Sequence, residues 1–334
     1  MDSLTQIVLG AAVGEAVLGK KIGNRAMLWG AIAGTIPDLD VIARFLTDTI
    51  TATEMHRGFS HSIVFAILMA PILGWLVHQI KKRPDVGWQG WAKLFFWGLF
   101  THPLLDAFTT WGTQLFWPFE SRLAFNNIFV IDPLYTVPFL ICVIIAAFKK
   151  RGSVSRVRIN NLGIYLSTGY LALTLLLKWA AHTKITDALE EQNIVYTQMS
   201  TRPAPMNTIL WNANVDAGDQ YLIGDYSFFD SKPVQFKAYP KNREEAAVLI
   251  PKDEVQRLIA VSEGWYILEN ENDQWIYNDL RFGLISIDPE KPQFVFRYKL
   301  MEEADGSIGA EEDRPDSSNM KGIFGALWDR IRGN

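Results

Sequence analysis

His102 and Asp106 lie four residues apart inside the apolar run Ala92–Trp111. On a helix that spacing stacks both side chains on one face. An imidazole and a carboxylate then project together from a segment of Phe, Leu and Trp. A carboxylate at membrane depth is costly, so such groups usually face a protein interior and serve a function. Histidine with a carboxylate suits a borderline metal such as zinc. The competing explanation for the pair alone is a hydrogen bond that locks two helices together.

Other residues of the same chemistry lie upstream. Pro37-Asp38-Leu39-Asp40 ends the second apolar run, and its two aspartates can cap a helix or bind a cation. His56 and His61 are five apart, which is not one helix face, but Gly58 permits a turn between them. Together Asp38, Asp40, His56, His61, His102 and Asp106 offer only nitrogen and oxygen ligands. Such a set suits zinc, manganese or iron. It is large enough for one or two ions, and a two-metal site activates water and clamps an ester or phosphoryl group. Arg57 follows His56 directly and is a candidate to hold an anionic oxygen bidentately. Its alternatives are contact with a lipid head group or an ion pair with Glu54. The remaining histidines, His78 and His182, are read as non-ligands.

Several classes are excluded. The single cysteine, Cys142, rules out an internal disulfide and a cysteine-rich zinc site. There is no serine nucleophile elbow, P-loop or Rossmann glycine pattern. Basic residues are spread along the edges of apolar runs rather than in a patch, so no nucleic-acid partner is expected.

The elements that must position these groups follow from apolar patterning. The chain has 334 residues and a net charge of -4. Its long apolar runs mostly precede residue 181, and its charges crowd after it. Candidate spans cover 4–19, 26–46, 61–80, 92–111, 128–148 and 160–180. The first two are short or interrupted and are expected to be re-entrant or tilted. Gly10 and Gly14, like Gly30 and Gly34, are four apart, a spacing that lets helix backbones approach closely. The start, Met1-Asp2-Ser3, lacks the basic region of a cleavable signal peptide. Basic clusters at 20–25, 81–93 and 149–158 fall at alternate turns and so share the cytoplasmic side. The region 38–61, the loop 112–127 and everything after 181 then lie on the non-cytoplasmic side. The predicted fold is an α-helical integral membrane bundle of about six apolar helices plus a C-terminal β-rich (α+β) soluble domain. The expected domains are 1–180, 181–301 and 302–334.

In the second domain, Val215–Phe229 mixes aromatic and polar residues around two glycines. Gln274–Ile287 and Gln293–Leu300 alternate with a period of two, which predicts half-buried strands. Lys252–Ser262 predicts a short helix. Residues 302–318 are acidic and expected to be flexible. Ile323, Phe324, Leu327, Trp328 and Ile331 then recur at helical spacing. That helix is expected to dock on its own β domain, with a membrane surface as the rival site.

Four motifs carry a resemblance: Met1-Asp2-Ser3-Leu4-Thr5-Gln6, Gly34-Thr35-Ile36-Pro37-Asp38-Leu39-Asp40, His56-Arg57-Gly58-Phe59-Ser60-His61-Ser62 and His102-Pro103-Leu104-Leu105-Asp106. In this order the chain resembles the YdjM/YbcI family of bacterial membrane-bound metal-dependent hydrolases. The resemblance covers about the first 180 residues, and the β-rich part resembles a C-terminal extension of some members. It implies a multi-pass protein of the bacterial inner (cytoplasmic) membrane and a metal cofactor. Its His-x-x-x-Asp element is similar to those of zinc-dependent phospholipase C enzymes, which implies a lipid-like or phosphoester substrate. One departure stands out. Family members often have histidine where this chain has Gln6, a poorer ligand for which Asp2 can compensate. Asp132, at the start of 128–148, is a further candidate acid.

Two functions compete on these residues. One is a hydrolase in which metal-activated water attacks an ester, with Arg57 and Asp106 as catalytic groups. The other is a non-catalytic membrane scaffold with a structural metal or a His–Asp hydrogen-bond cluster. A transporter is weaker, because no internal repeat is visible.

Overall fold

The structure is a computed structural model that describes residues 1–284, 293–303, 306–313 and 320–334. The chain forms two compact units. The first comprises residues 1–42, 55–177 and 205–208; the second comprises 43–54, 178–204 and 209–334. The boundary expected near residue 180 falls inside a helix, and a short upstream segment joins the second unit.

The first unit is helical. Its elements are α1 (Ser3–Ile22), α2 (Asn24–Thr35), a 3-10 helix (Pro37–Phe45, completed in the second unit), α4 (Ile63–Lys81), α5 (Gly87–Asp106) and α6 (Pro133–Phe148). The helix α3 (Thr49–Met55) lies between, and α7 (Val154–Glu191) runs on into the second unit. Asp2 caps α1 by accepting from the Thr5 amide at 3.1 Å. Pro37 ends α2, and the 3-10 helix leaves it at a bend of 44°. Glycines set the closest packing: a Cβ on Gly10 would strike the Gly30 carbonyl, so α1 and α2 meet backbone to backbone. Two apolar clusters fill the unit. One joins α1, α5 and α6 through Val8, Leu105, Tyr135 and Phe139; the other joins α1, α2, α4 and α5 through Leu18, Ala33, Ala70 and Phe95.

Fewer helices qualify as spans than the six expected. By length and composition α4 and α7 are apolar enough to cross a membrane, and the bent pair of α2 with the 3-10 helix would make a third. The others fall short for visible reasons. α6 has 16 residues. α1 carries Glu15, Lys20 and Lys21, and α5 carries Gln89, Lys93 and His102. Glu15 is buried and accepts from Arg156 Nε at 2.6 Å, which replaces the water it lost. α7 has 38 residues, about 57 Å at the helical rise. That is about twice a hydrocarbon core of about 30 Å.

The helix ends sort by charge. Lys21 Nζ donates to the Asp85 carbonyl at 2.8 Å, and Asn24 Nδ2 to the Ala147 carbonyl at 3.0 Å. Arg156 Nη1 donates to Asn24 Oδ1 at 2.7 Å. The three basic clusters of the sequence therefore meet at one end of this unit. Asp38, His61 and Asp106 lie at the other helix ends.

The second unit holds two antiparallel four-stranded sheets. The first is β1 (Gln198–Pro203), β2 (Leu210–Asp216), β3 (Gln220–Ser227) and β4 (Phe236–Pro240) in that order. The second is β5 (Tyr266–Glu271), β6 (Gln274–Leu284), β7 (Phe294–Glu302) and β8 (Ile308–Glu312). Arg202 Nη2 and Asn214 Nδ2 both donate to the Leu280 carbonyl, at 3.0 and 2.7 Å, and tie the sheets together. Ile185 and Leu189 of α7 pack on Ala213 and Val215.

The period-two stretches became β6 and β7, and the short helix became α8 (Asp253–Val261). Residues 285–287 of the expected first strand lie outside the described residues. The acidic stretch is not wholly irregular. Ile308 is buried, and β8 extends the second sheet with Leu300 opposite Ala310. Its residues 304–305 and 314–318 lie outside the described residues. The terminal helix α9 (Met320–Ile331) places Leu327 and Ile331 against Ala204 and Leu210.

Candidate metal centre

Three elements converge on one small volume: the 3-10 helix that opens at Pro37 carries Asp38, a short 3-10 turn (Phe59–His61) carries His61, and the last turns of α5 carry both His102 and Asp106. Asp38, His61, His102 and Asp106 each offer one atom, and these atoms lie within 4.8 Å of one another. His61 Nε2 and His102 Nε2 are 3.1 Å apart. Asp38 Oδ1 lies 3.5 and 3.3 Å from those two nitrogens. Asp106 Oδ2 lies 3.4 Å from each. In a tetrahedral zinc site with ligands at about 2.0–2.1 Å, ligand atoms stand about 3.3–3.4 Å apart. The side chains therefore fit a metal of that size.

Hydrogen bonds set which nitrogen faces inward. His102 Nδ1 lies 2.6 Å from the Gly34 carbonyl, which can only accept, so Nδ1 carries the proton. Nε2 is left with a lone pair. His61 Nδ1 lies 2.9 Å from Ser60 Oγ and 3.4 Å from Asp40 Oδ2. Ser60 gives its own proton to Asp40 Oδ2 at 3.3 Å, so it accepts from His61 Nδ1. Both imidazoles thus turn bare Nε2 atoms towards two carboxylates. Four lone-pair donors at such distances repel unless a cation lies among them. Among the described residues, no hydrogen bond reaches the buried Asp106 Oδ2 or Gln6 Oε1; for Asp106 Oδ2, which faces both imidazoles, such a cation would supply the missing partner.

Sequence reasoning named six ligands, and the structure brings four of them together. Asp40 stands one layer out. It orients His61, accepts the Arg57 amide at 2.8 Å and faces His56 Nδ1 at 3.3 Å. His56 is half-exposed and packs edge-on against Trp111. Gln6 sits on the wall, donating from Nε2 to Asp106 Oδ1 at 3.1 Å and to the His102 carbonyl at 3.3 Å. The Met1 nitrogen also donates to Asp106 Oδ1. Asp2 and Asp132 cap helices instead. Asp132 accepts from the Leu134 and Tyr135 amides at 2.9 and 3.2 Å and from the Tyr170 hydroxyl at 2.9 Å. Neither His78 nor His182 is among the four residues of the cluster.

Arg57 is buried, and its backbone holds a left-handed φ of 56°, uncommon for a side chain of its kind. Nη1 donates to Thr109 Oγ1 at 2.8 Å, and Nε faces Asp106 Oδ2 at 3.3 Å. Nη2 donates no hydrogen bond among the described residues. Glu54, the alternative partner read from sequence, belongs to the second unit and accepts from Arg257 at 2.9 and 2.6 Å. Sequence reasoning missed Gly34 as an acceptor and Thr109 as the Arg57 anchor. Thr109 lies three residues beyond Asp106, and that helical spacing was a usable signal. The cluster is closed except on one side, where the Asp38 side chain is 28% exposed while the other three are at 0%.

A family model described as YdjM inner membrane protein matches residues 1–185, a stretch that contains all four cluster residues. The inner membrane protein YbcI of Escherichia coli (strain K12) is 28% identical over 144 residues, 41% of this chain and 82% of its own length. No solved structure matches.

Proposed function

The chain belongs to the YdjM family of inner membrane proteins, and on that footing we propose that it is a membrane-bound, metal-dependent hydrolase of an ester or phosphoester in a lipid-like substrate. The observation that carries this reading is the pair of bare Nε2 atoms of His61 and His102, 3.1 Å apart between two carboxylates. The donor set favours zinc. When bound, the metal supplies Lewis acidity, lowering the pKa of a water and polarising the substrate.

The protein groups have separable tasks. Gly34, Ser60 and Asp40 hold the two rings in the tautomer that binds. Arg57, anchored by Thr109 and by the Asp106 carboxylate, presents Nη2 to an anionic oxygen. Substrate enters on the Asp38 side, where the cluster is open. On this reading the helical unit is a multi-pass bundle with its basic end in the cytoplasm. The charge pattern of the sequence assigns the residues after 181 to the non-cytoplasmic side.

One observation favours a second reading, a scaffold with a structural metal. Four protein donors are enough to fill a tetrahedral site, and closed sets of four are characteristic of structural sites. The two readings separate on measurement. Purified full-length chain is expected to hold stoichiometric zinc that is absent from the His102→Ala, Asp106→Ala double variant. Equal, near-zero metal in both overturns metal binding. Hydrolysis of phospholipid or phosphoester by the zinc-loaded chain, lost in Arg57→Lys with zinc retained, supports the enzyme. Zinc without hydrolysis, and a large fall in melting temperature for His61→Ala, supports the scaffold.

A further inference from the structure

A pocket of about 270 Å³ opens at the basic end of the helical unit, away from the candidate metal centre. Its apolar walls are Ile22, Leu28, Trp29 and Trp91, and its polar lining is three cations, Arg25, Lys81 and Arg83. Among the described residues, no carboxylate lines it. The cations come from different parts of the chain: Arg25 opens α2, Lys81 ends α4, and Arg83 follows in the loop. Two of the three basic clusters therefore converge here by folding alone.

The pocket is held open and its charges are placed. Trp29 stands edge-on against Trp91, with ring centroids 5.8 Å apart. Lys81 Nζ lies 5.8 Å above the Trp29 ring, so its ammonium rests on an aromatic face. Arg83 is locked by Asp85, donating from Nε and Nη2 at 2.8 Å each. Those hydrogen bonds hold the Asp85 carboxyl down at about 2, so the clamp stays charged. Arg25 and Lys81 meet no carboxylate within ion-pair distance among the described residues. Two unneutralised cations beside an indole wall, at the charged end of apolar helices, form a site for a phosphate with apolar chains attached.

We propose that this pocket binds the phosphodiester head group of an anionic phospholipid, with Arg25 and Lys81 on the phosphate and the tryptophans beneath the glycerol region. It is independent of the hydrolase reading, since it shares no residue with the cluster. A free inorganic phosphate has the same charge chemistry but gains nothing from Leu28, Trp29 and Ile22.

The test uses the detergent-solubilised full chain, titrated with phosphatidylglycerol, phosphatidylcholine and inorganic phosphate and read by native mass spectrometry. Saturable retention of phosphatidylglycerol but not phosphatidylcholine is expected. Arg25→Gln with Lys81→Gln should weaken that retention about tenfold or more. Lys20→Gln with Lys82→Gln, which removes equal charge outside the pocket lining, should leave it near wild type. Leu28→Trp, which narrows the pocket and keeps every charge, should also weaken it, so the result does not depend on one variant folding. Equal loss from both charge pairs, or no loss from Leu28→Trp, overturns the site. So does displacement of the lipid by phosphate at comparable concentration.

Discussion

His61 and His102 point their Nε2 atoms at each other across 3.1 Å, although 41 residues separate them in the chain. Each ring has its other nitrogen tied, one to the Gly34 carbonyl and one to the Ser60–Asp40 pair. Two neutral imidazoles facing in this way, with two carboxylates beside them, are held together best by a cation. The first prediction follows. Zinc binding is expected to be abolished by His61→Ala or His102→Ala, and equilibrium dialysis against a chelator measures it. Zinc retained at wild-type affinity in either variant contradicts the assignment.

Asp40 acts through His61 and Ser60. Asp40→Asn keeps the shape but weakens the hold on the Nδ1 proton, so affinity should fall about 10–100-fold without complete loss. Complete loss would instead place Asp40 on the metal, and an unchanged affinity would remove it from the site.

Gln6 occupies the position where relatives are expected to carry histidine, and its buried Oε1 has no donor among the described residues. Gln6→His should add an imidazole beside Asp106. Zinc should then be retained about tenfold more tightly. The same chelator competition reads the change, and a weaker hold than wild type would show that the ring does not reach.

The Glu15–Arg156 pair is buried at both ends, at 2% exposure each. Arg156→Met alone strands a carboxylate among α1, α2 and α7 and should cost about 3–5 kcal/mol. Adding Glu15→Met should recover most of that loss. Melting temperatures in one detergent decide it: a double variant no more stable than the single would show that packing, not charge, is at stake.

In the β-rich unit, burial pushes the Tyr298 hydroxyl up to about 12 and that of Tyr277 well above its usual range. A raised folded value favours the protonated fold. This stabilisation is complete below the ordinary tyrosine value of about 10 and is lost as pH rises through about 12. Strand signal in circular dichroism should therefore fall as phenolate absorbance appears over that window. Phenolate forming at Tyr298 and Tyr277 with the sheets intact near pH 10 would contradict it.

Much of the site was legible because its chemistry is dense in the sequence. His102 and Asp106 declare a common helix face by spacing alone, and the absence of usable thiols narrows the metal to nitrogen and oxygen ligands. The β-rich part was readable where strands alternate, as in Gln274–Leu284. It was not readable in β1 and β5, where burial is continuous or one-sided and the period is lost. Of the six spans expected from apolar runs, two described helices, or three with the bent pair, have the length and composition of a span, because a run of apolar residues does not fix where a helix begins, ends or breaks.

The sequence alone determined which residues could bind a metal, that charges gather at alternate helix ends, and that a β-rich part follows a helical one. Only the tertiary structure decided that Asp38 and Asp106 join the two imidazoles while Asp40 and His56 stand behind them. It also decided that Asp2 and Asp132 cap helices. The reason is geometric. Residue type records what a side chain can do, but the direction it faces depends on a 44° bend between Thr35 and Pro37 and on glycine contacts between α1 and α2. The glycine spacing and the proline mark that a close approach and a break occur, but not the bend angle or the side chains they bring together.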